Sequence, residues 1–314
     1  MNPREDVFKV FWYFASERQR IFFRRFNDAD PPWTEDKILQ KYKFCNAYRA
    51  SDRVSQFLIR EVVYSGRFSD RDTVFRILLF RLFNNTATWR YLENQRKEVS
   101  ADNFDFDAYA QALSKRIENG KTIFGNAFIL SGQKVFGYDR KHKNYLALLS
   151  AMLSENLPEQ IANANSLEGV YNLLHAYPLL GDFMSYQLAI DINYSEAVNF
   201  SENEFTVAGP GAQRGINKCF QDTGDKKDPE VIQWMTQTQN EHFNQLDIDF
   251  PDLWGRPLKA IDIQNLFCEV DKYARVAFPD LESNRSQIKS EFSPSSQSID
   301  YFYPPKWGIN SKIS

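Results

Sequence analysis

Apolar positions recur every three to four residues through most of the first 280 positions, and this spacing predicts amphipathic helices. The first, 7–26 (VFKVFWYFASERQRIFFRRF), keeps aromatic residues on one face with arginines between them. Pro31, Pro32 and Trp33 interrupt the pattern, and Thr34 with Asp36 supplies capping chemistry for a new start. Helical spacing returns at 52–66, closed by Gly66, at 71–84, which reads as mostly buried, and at 106–120. It continues at 144–164, 166–180 and 185–195, then at 228–244 and in a strong amphipathic stretch at 260–278. No segment of any length alternates with the period of a strand, so the predicted class is mainly α. Residues 1–280 are expected to form one helical unit, with a division into two lobes of about 1–143 and 144–280 left open. The Ser/Pro-rich remainder, 281–314, reads as an extended tail laid over the surface.

Composition removes some function classes. Apolar runs such as Ile77–Phe80, cut by Arg81, fall far short of the roughly 18 residues a membrane span needs. No leader pattern marks the N-terminus, so a cytoplasmic protein without a membrane partner is expected. Three cysteines (Cys45, Cys219, Cys268) and three histidines (His142, His175, His242) are scattered, which argues against a disulfide framework and a transition-metal site. Residues 1–100 carry 19 Lys/Arg against 13 Asp/Glu, whereas the remaining 214 carry 19 against 28. The basic third offers a face to nucleic acid, although helices laced with ion pairs give the same count.

The stretch 205–216, FTVAGPGAQRGI, concentrates glycine, proline and an arginine. It fits neither the GxxxxGK[ST] phosphate loop nor a GxGxxG following a strand, which removes the nucleotide-cofactor reading. Just upstream, 167–192 reads as a helix, a tight YPLLGD turn and a second helix. That arrangement resembles the helix-hairpin-helix of DNA glycosylases, whose hairpin amides hold a DNA phosphate at a helix N-terminus. On this resemblance Leu179, Leu180, Gly181, Asp182 and Phe183 contact DNA, and the fold is a helix-hairpin-helix, glycosylase-like helical one. The glycosylase aspartate would fall at Gly211 or a neighbour and the hairpin lysine at Phe183, and no acid lies between Glu204 and Asp222. The scaffold is similar, but the glycosylase groups are missing.

A broader resemblance rests on 34–59 (TEDKILQKYKFCNAYRASDRVSQFLI), 75–92 (FRILLFRLFNNTATWRYL), 181–195 (GDFMSYQLAIDINYS), 209–216 (GPGAQRGI) and 262–276 (DIQNLFCEVDKYARV). In these blocks the chain resembles the helical family that includes the helical domain of the 5-hydroxymethyluridine DNA kinases and the α-glutamyl/putrescinyl thymine pyrophosphorylases, transferases of amino acids to DNA. The resemblance implies hypermodification of bacteriophage-type DNA. A kinase places pyrophosphate on 5-hydroxymethyluracil, and this chain then displaces it with an amine. Implied partners are duplex DNA carrying the modified base and an amine donor, an amino acid or a polyamine. No cofactor is implied beyond a Mg2+ ion on the pyrophosphate. With no phosphate loop, the chain is expected to follow a separate kinase, in the infected host cell or at its nucleoid.

Such a displacement needs cations for the departing pyrophosphate and a base for the amine proton. Arg214, beside Gly209 and Gly211, is the first candidate clamp, because missing side chains let amides approach an anion. A loop arginine paired with a surface acid would read the same. Asn46, Arg49 and Arg53 stand at i, i+3 and i+7 of a helical spacing, with Asp52 placed to brace Arg49; a solvated charged face is the alternative. Asp262, Asn265 and Glu269 share another face and suit a base, an amine-recognition group or ligands of a divalent ion. Asp262 fits equally well as a helix cap. Asn84 and Thr88 are weaker candidates, and a polar pair fixing helix ends would look alike. Two further functions stay open: a non-catalytic helix-hairpin-helix DNA-binding protein, and a glycosylase drawing its acid from Asp191 or Asp262.

Overall fold

In the computed structural model, described for all residues except 97, 128–129, 282, 284–286, 289, 295–297 and 314, helices dominate. In chain order they are α1 (Glu5–Phe26), α2 (Lys37–Lys41), α3 (Arg53–Phe57), α4 (Asp70–Phe83) and α5 (Thr86–Gln95). Next come α6 (Phe106–Glu118), α7 (Lys141–Ser154), α8 (Leu157–Ala162) and α9 (Leu167–His175). The last four are α10 (Asp182–Asn193), α11 (Pro210–Cys219), α12 (Asp228–Gln245) and α13 (Ala260–Ala277). Two short strands, β1 (Asn2–Pro3) and β2 (Phe220–Asp222), pair antiparallel. The mainly α class is as expected. None of the helices among the described residues is long and apolar enough to cross a membrane.

Local chemistry explains where the helices differ from expectation. The helix expected at 52–66 becomes α3 followed by a π-helical stretch, Leu58–Val63, closed where Tyr64 N–H donates to Ile59 O at 3.0 Å, an i to i+5 bond. The helix expected over 144–164 breaks at Asn156, which adopts a left-handed conformation (φ 55°). The segment of α5 gave no helical reading because asparagine and threonine cluster there; Asn85 instead caps it by accepting from Thr88 N–H at 3.0 Å.

The chain divides into two compact units. The first comprises residues 1–52, 202–301 and 308–314, and the second 53–201 and 302–307. Their boundaries fall at 52/53 and 201/202 rather than at 143/144, because α1 and α13, from opposite ends of the sequence, share one core. The tail belongs partly to each: Tyr301 packs edge-on against Phe22 at 5.0 Å in the first unit, while Tyr303 is buried within the second. Several residues of the Ser/Pro-rich stretch lie outside the described ones.

In the first unit α11 packs tightly on α13, with α1 and α12 against the same helix. Phe11 meets Phe267 at 4.6 Å, and Trp12 meets Phe243 at 4.9 Å. Trp12 and Phe22 are therefore core residues. In the second unit α4 is buried along nearly its whole length. Its Arg81 makes a bidentate pair with Asp191 of α10 (2.7 and 2.9 Å), both side chains buried. Asp191 is thus committed to a structural pair.

The α11–α13 contact depends on glycine. A Cβ built on Gly215 would lie 2.1 Å from Phe267 O, and one on Gly211 would lie 2.8 Å from Cys268 Sγ. Gly215→Ala must force a backbone carbonyl aside, so we expect a loss of roughly 1–3 kcal/mol in urea unfolding. Gly120→Ala, with nothing within 4 Å but φ +71°, costs strain without any effect on helix packing. Unchanged stability of Gly215→Ala would mean that the helices do not approach this closely.

Candidate active site

The glycine-proline stretch is a turn into a helix. Gly209 has extended backbone (φ −69°, ψ 166°) at the N-cap of α11, and Pro210 occupies its first turn, where a missing N–H costs nothing. From Gln213, whose N–H bonds to Gly209 O at 3.0 Å, the amides are spent within the helix. The expected loop is therefore corrected to a helix start, in which Gly211 and Gly215 serve close packing on α13. Glycine and proline obscured the helix in the sequence because both are poor helix formers away from a helix start.

Arg214 consequently projects from α11. Its Nε lies 3.2 Å from Asp271 Oδ2, and Lys218 Nζ, one turn on, lies 2.9 Å from Asp271 Oδ1. Arg275, one turn after Asp271 on α13, pairs with the same carboxylate. Burial alone would raise the Asp271 pKa, but hydrogen bonds and charge from Lys218 and Arg275 outweigh it and hold it below its ordinary value. Asp271, Lys218 and Arg275 were not singled out from the sequence. Their only signal was the i, i+4 spacing of Arg214 with Lys218 and of Asp271 with Arg275.

A second cluster joins α13 to the segment 43–52. Asn46, Arg49 and Arg53 do not share a helix: Asn46 is in an irregular stretch, Arg49 opens a 3-10 turn (Arg49–Ser51), and Arg53 begins α3 of the second unit. The helical-spacing argument fails here because side chains, not a helical ladder, satisfy this backbone. Asp52 accepts from Asn46 N–H (2.8 Å), and the Asn46 side chain donates to Ser51 O (2.8 Å). Buried Arg18 donates to Cys45 O (2.9 Å) and to Asn46 Oδ1 (3.2 Å). It was read from sequence only as one of the arginines between aromatic residues.

Asp262 and Glu269, on one face of α13 as their spacing implied, both grip this segment. Glu269 Oε2 accepts from Cys45 N–H (3.0 Å) and meets Lys272 Nζ at 2.6 Å. Asp262 accepts from Arg49 N–H (2.8 Å) with one oxygen and from Lys259 N–H (3.0 Å) with the other, completing a capping box at the start of α13. Asp52 and Glu269 each keep one oxygen without a hydrogen bond among the described residues. Between the α13 acids, Asn265 holds a buried Nδ2 without a hydrogen-bond partner among the described residues.

Burial, with the charge of Glu269, pushes the Asp52 carboxyl up to about 6 against the pull of Asn46 N–H, Arg18 and Arg49. Burial and the charge of Glu202 push Asp262 up to about 7 against its two amide donors and Arg256. No group of three or more His, Cys, Asp or Glu able to hold a metal ion occurs among the described residues.

In the second unit, Asn84 ends α4 in a left-handed conformation (φ 47°), accepts from Arg81 (2.8 Å) and donates to Ala127 O (3.0 Å). That is the geometry of a residue fixing a helix end. The helix–turn–helix of α9 and α10 is present, with Leu179 left-handed (φ 71°), Leu180 buried and Gly181 capping α10. Asp182 is the first residue of α10; it accepts from Tyr171 Oη (3.1 Å) and faces His175 Nε2 at 2.8 Å. Phe183 follows, half-buried. A carboxylate at this helix start competes with any phosphate brought to its amides.

The two acids with raised pKa values separate by substitution. Asp52 ionises at a cost in the folded state, so its contribution is fully favourable below the ordinary carboxylate pKa and is lost as pH rises through about 6. Asp52→Asn can still accept from Asn46 N–H, and its stability relative to wild type should rise between pH 5 and pH 8. Asp262→Asn must turn an NH2 group toward a backbone donor and should lose roughly 1–3 kcal/mol even at low pH. Chemical unfolding across this pH range checks both, and a fully stable Asp262→Asn protein would contradict the two-amide geometry.

The model of the 5-hmdU DNA kinase helical domain matches residues 5–283. The 5-hmdU DNA kinase of Bacillus phage SP10 is 26% identical over 290 residues, covering 86% of this chain and 45% of the phage protein. The chain thus spans less than half the length of that curated relative. No solved structure matches it. A family match over nearly the whole helical body, including α1, α11 and α13, leaves one assignment: the chain belongs to the family of the 5-hmdU DNA kinase helical domain.

Proposed function

We propose that this protein is a DNA-base transferase that acts on pyrophosphorylated 5-hydroxymethyluracil in duplex DNA and replaces the pyrophosphate with an amine from an amino acid or polyamine. The observation that carries the reading is the family match over 5–283, which ties the chain to proteins named for action on 5-hmdU in DNA. These residues contain no phosphate-loop pattern, so the reading assigns to this helical body a step other than phosphoryl transfer from a nucleotide.

The first unit holds groups suited to this chemistry. The amine lone pair forms the new C–N bond as the C–O bond to pyrophosphate breaks, and the ammonium so formed gives up a proton. Asp52, with a pKa of about 6 and one oxygen unspent, is ionised at neutral pH and can take that proton. Glu269, also with one oxygen unspent, suits recognition of the donor amine. Asp262 acts as a positioning residue, since both of its oxygens hold backbone. Asn46 and Arg49 shape the same segment, and the unspent amide of Asn265 is available to a substrate carbonyl. Arg214, about one-third exposed, meets the charge that grows on the leaving pyrophosphate. A Mg2+ ion on that pyrophosphate would share the load.

Two measurements test the reading. Binding to duplex DNA should weaken steeply with salt, as counterion release requires. A flat salt response in gel-shift titrations would remove DNA as the partner. With DNA bearing pyrophosphorylated 5-hydroxymethyluracil and a panel of amines, digestion and nucleoside mass spectrometry should show an aminated thymine and no abasic site. Turnover should rise through about pH 6 and fall at least 100-fold in Asp52→Asn, with DNA binding retained. Survival of the pyrophosphorylated base with every donor would end the transferase reading, and release of a free base would favour a glycosylase.

A further inference from the structure

The pairing around Asp271 is lopsided. Arg214, Lys218 and Arg275 all direct their ion pairs to this one buried carboxylate. None of the three has another acidic partner among the described residues. Lys218 and Arg275 are themselves nearly buried, with side-chain exposures of 6% and 7%. Burying two cations against one anion that a third, partly exposed cation also meets is unfavourable unless more negative charge arrives.

That surplus borders an opening. A pocket of about 400 Å³ is lined by Arg4, Arg214, Asn217, Lys218, Gln221 and Ser283, within the size range of small-ligand sites. Arg4 brings a fourth positive charge. The β1–β2 pairing and the bond from Arg4 N–H to Cys219 O (2.8 Å) hold its backbone beside the end of α11. Its Nε is buried without a hydrogen-bond partner, and its guanidinium has no ion pair among the described residues. A buried guanidinium donor left unspent at a pocket wall is a costly arrangement without a ligand. Asn217 and Gln221, both exposed, add neutral amide donors at the rim.

We infer that this pocket binds a phosphate-class anion, with Arg4 and Arg214 as its direct contacts and Lys218 and Arg275 holding Asp271 so that it does not neutralise Arg214. Guanidinium groups suit this task because their paired N–H donors match phosphate oxygens. Lys218 donates to Asp271 O (3.1 Å) and Ser283 Oγ (3.3 Å) and lies 2.9 Å from Asp271 Oδ1 as an ion pair, so it contributes charge rather than a contact. The same chemistry can come from a free diphosphate or from the DNA backbone. Identifying the anion as the leaving pyrophosphate rests on the transferase reading; the phosphate site itself does not.

The test titrates the full chain by calorimetry with inorganic pyrophosphate and, separately, with a short unmodified duplex. Pyrophosphate should bind one to one, and Arg4→Gln and Arg214→Gln should each weaken it at least tenfold. Asn217→Asp, an exposed and nearly isosteric change, adds a negative charge at the rim and should weaken it as well. This variant keeps the test informative if an arginine variant fails to fold. Loss of duplex affinity in the same variants, without pyrophosphate binding, would support the site and assign it to backbone phosphate. If neither ligand responds to any of the three substitutions, the pocket is not an anion site. Pyrophosphate binding that persists while no donor yields an aminated base would keep this site and remove the transferase reading.

Discussion

The first unit depends on how closely α11 can approach α13. The position a Gly215 Cβ would take lies 2.1 Å from the Phe267 carbonyl, so any larger residue must push the helices apart. With that approach set, the next positions around α11 are directed as well. Arg214 and Lys218 reach Asp271, one turn along α13 from Phe267, at 3.2 and 2.9 Å. Hydrogen bonds and ion pairs at these lengths do not survive a shift of an ångström or two. A packing constraint thereby becomes an electrostatic one.

Helix α13 serves two polar clusters because its faces differ. Asp262 and Glu269, seven residues apart, hold the irregular segment around Cys45 and Arg49. Asp271 and Arg275, four apart, face the α11 cations. The same helix therefore fixes a carboxylate-rich region and a cation-rich one in one compact unit.

Buried charge is handled in three ways, and the difference separates structural groups from candidate functional ones. Asp191 is matched by a bidentate Arg81, and Asp262 by two backbone amides; nothing remains to bind anything else. Asp271 has three cations where one would suffice. Asp52 and Glu269 each retain an oxygen. A satisfied buried pair roughly breaks even in stability, whereas surplus charge or an unspent buried group is a standing cost. Such groups are candidates for a functional role.

The helical class, most helix positions and the shared face of Asp262 and Glu269 were determined by the sequence alone. Each depends only on periodicity along one element, which burial of an apolar face enforces locally. Tertiary structure decided the rest. Gly209, Pro210 and Gly211 read as a loop because helix propensity is a local average, and only the proximity of α13 explains glycine inside α11. Asn46, Arg49 and Arg53 looked helical by spacing, yet backbone N–H groups of Cys45 and Arg49 donate to carboxylates more than 200 positions away, and the segment before Arg53 stays irregular. The convergence of Arg4, Arg214, Lys218 and Arg275 joins parts of the chain some 270 residues apart. No periodicity encodes that meeting, because it arises only when the two ends of the sequence close around a common core.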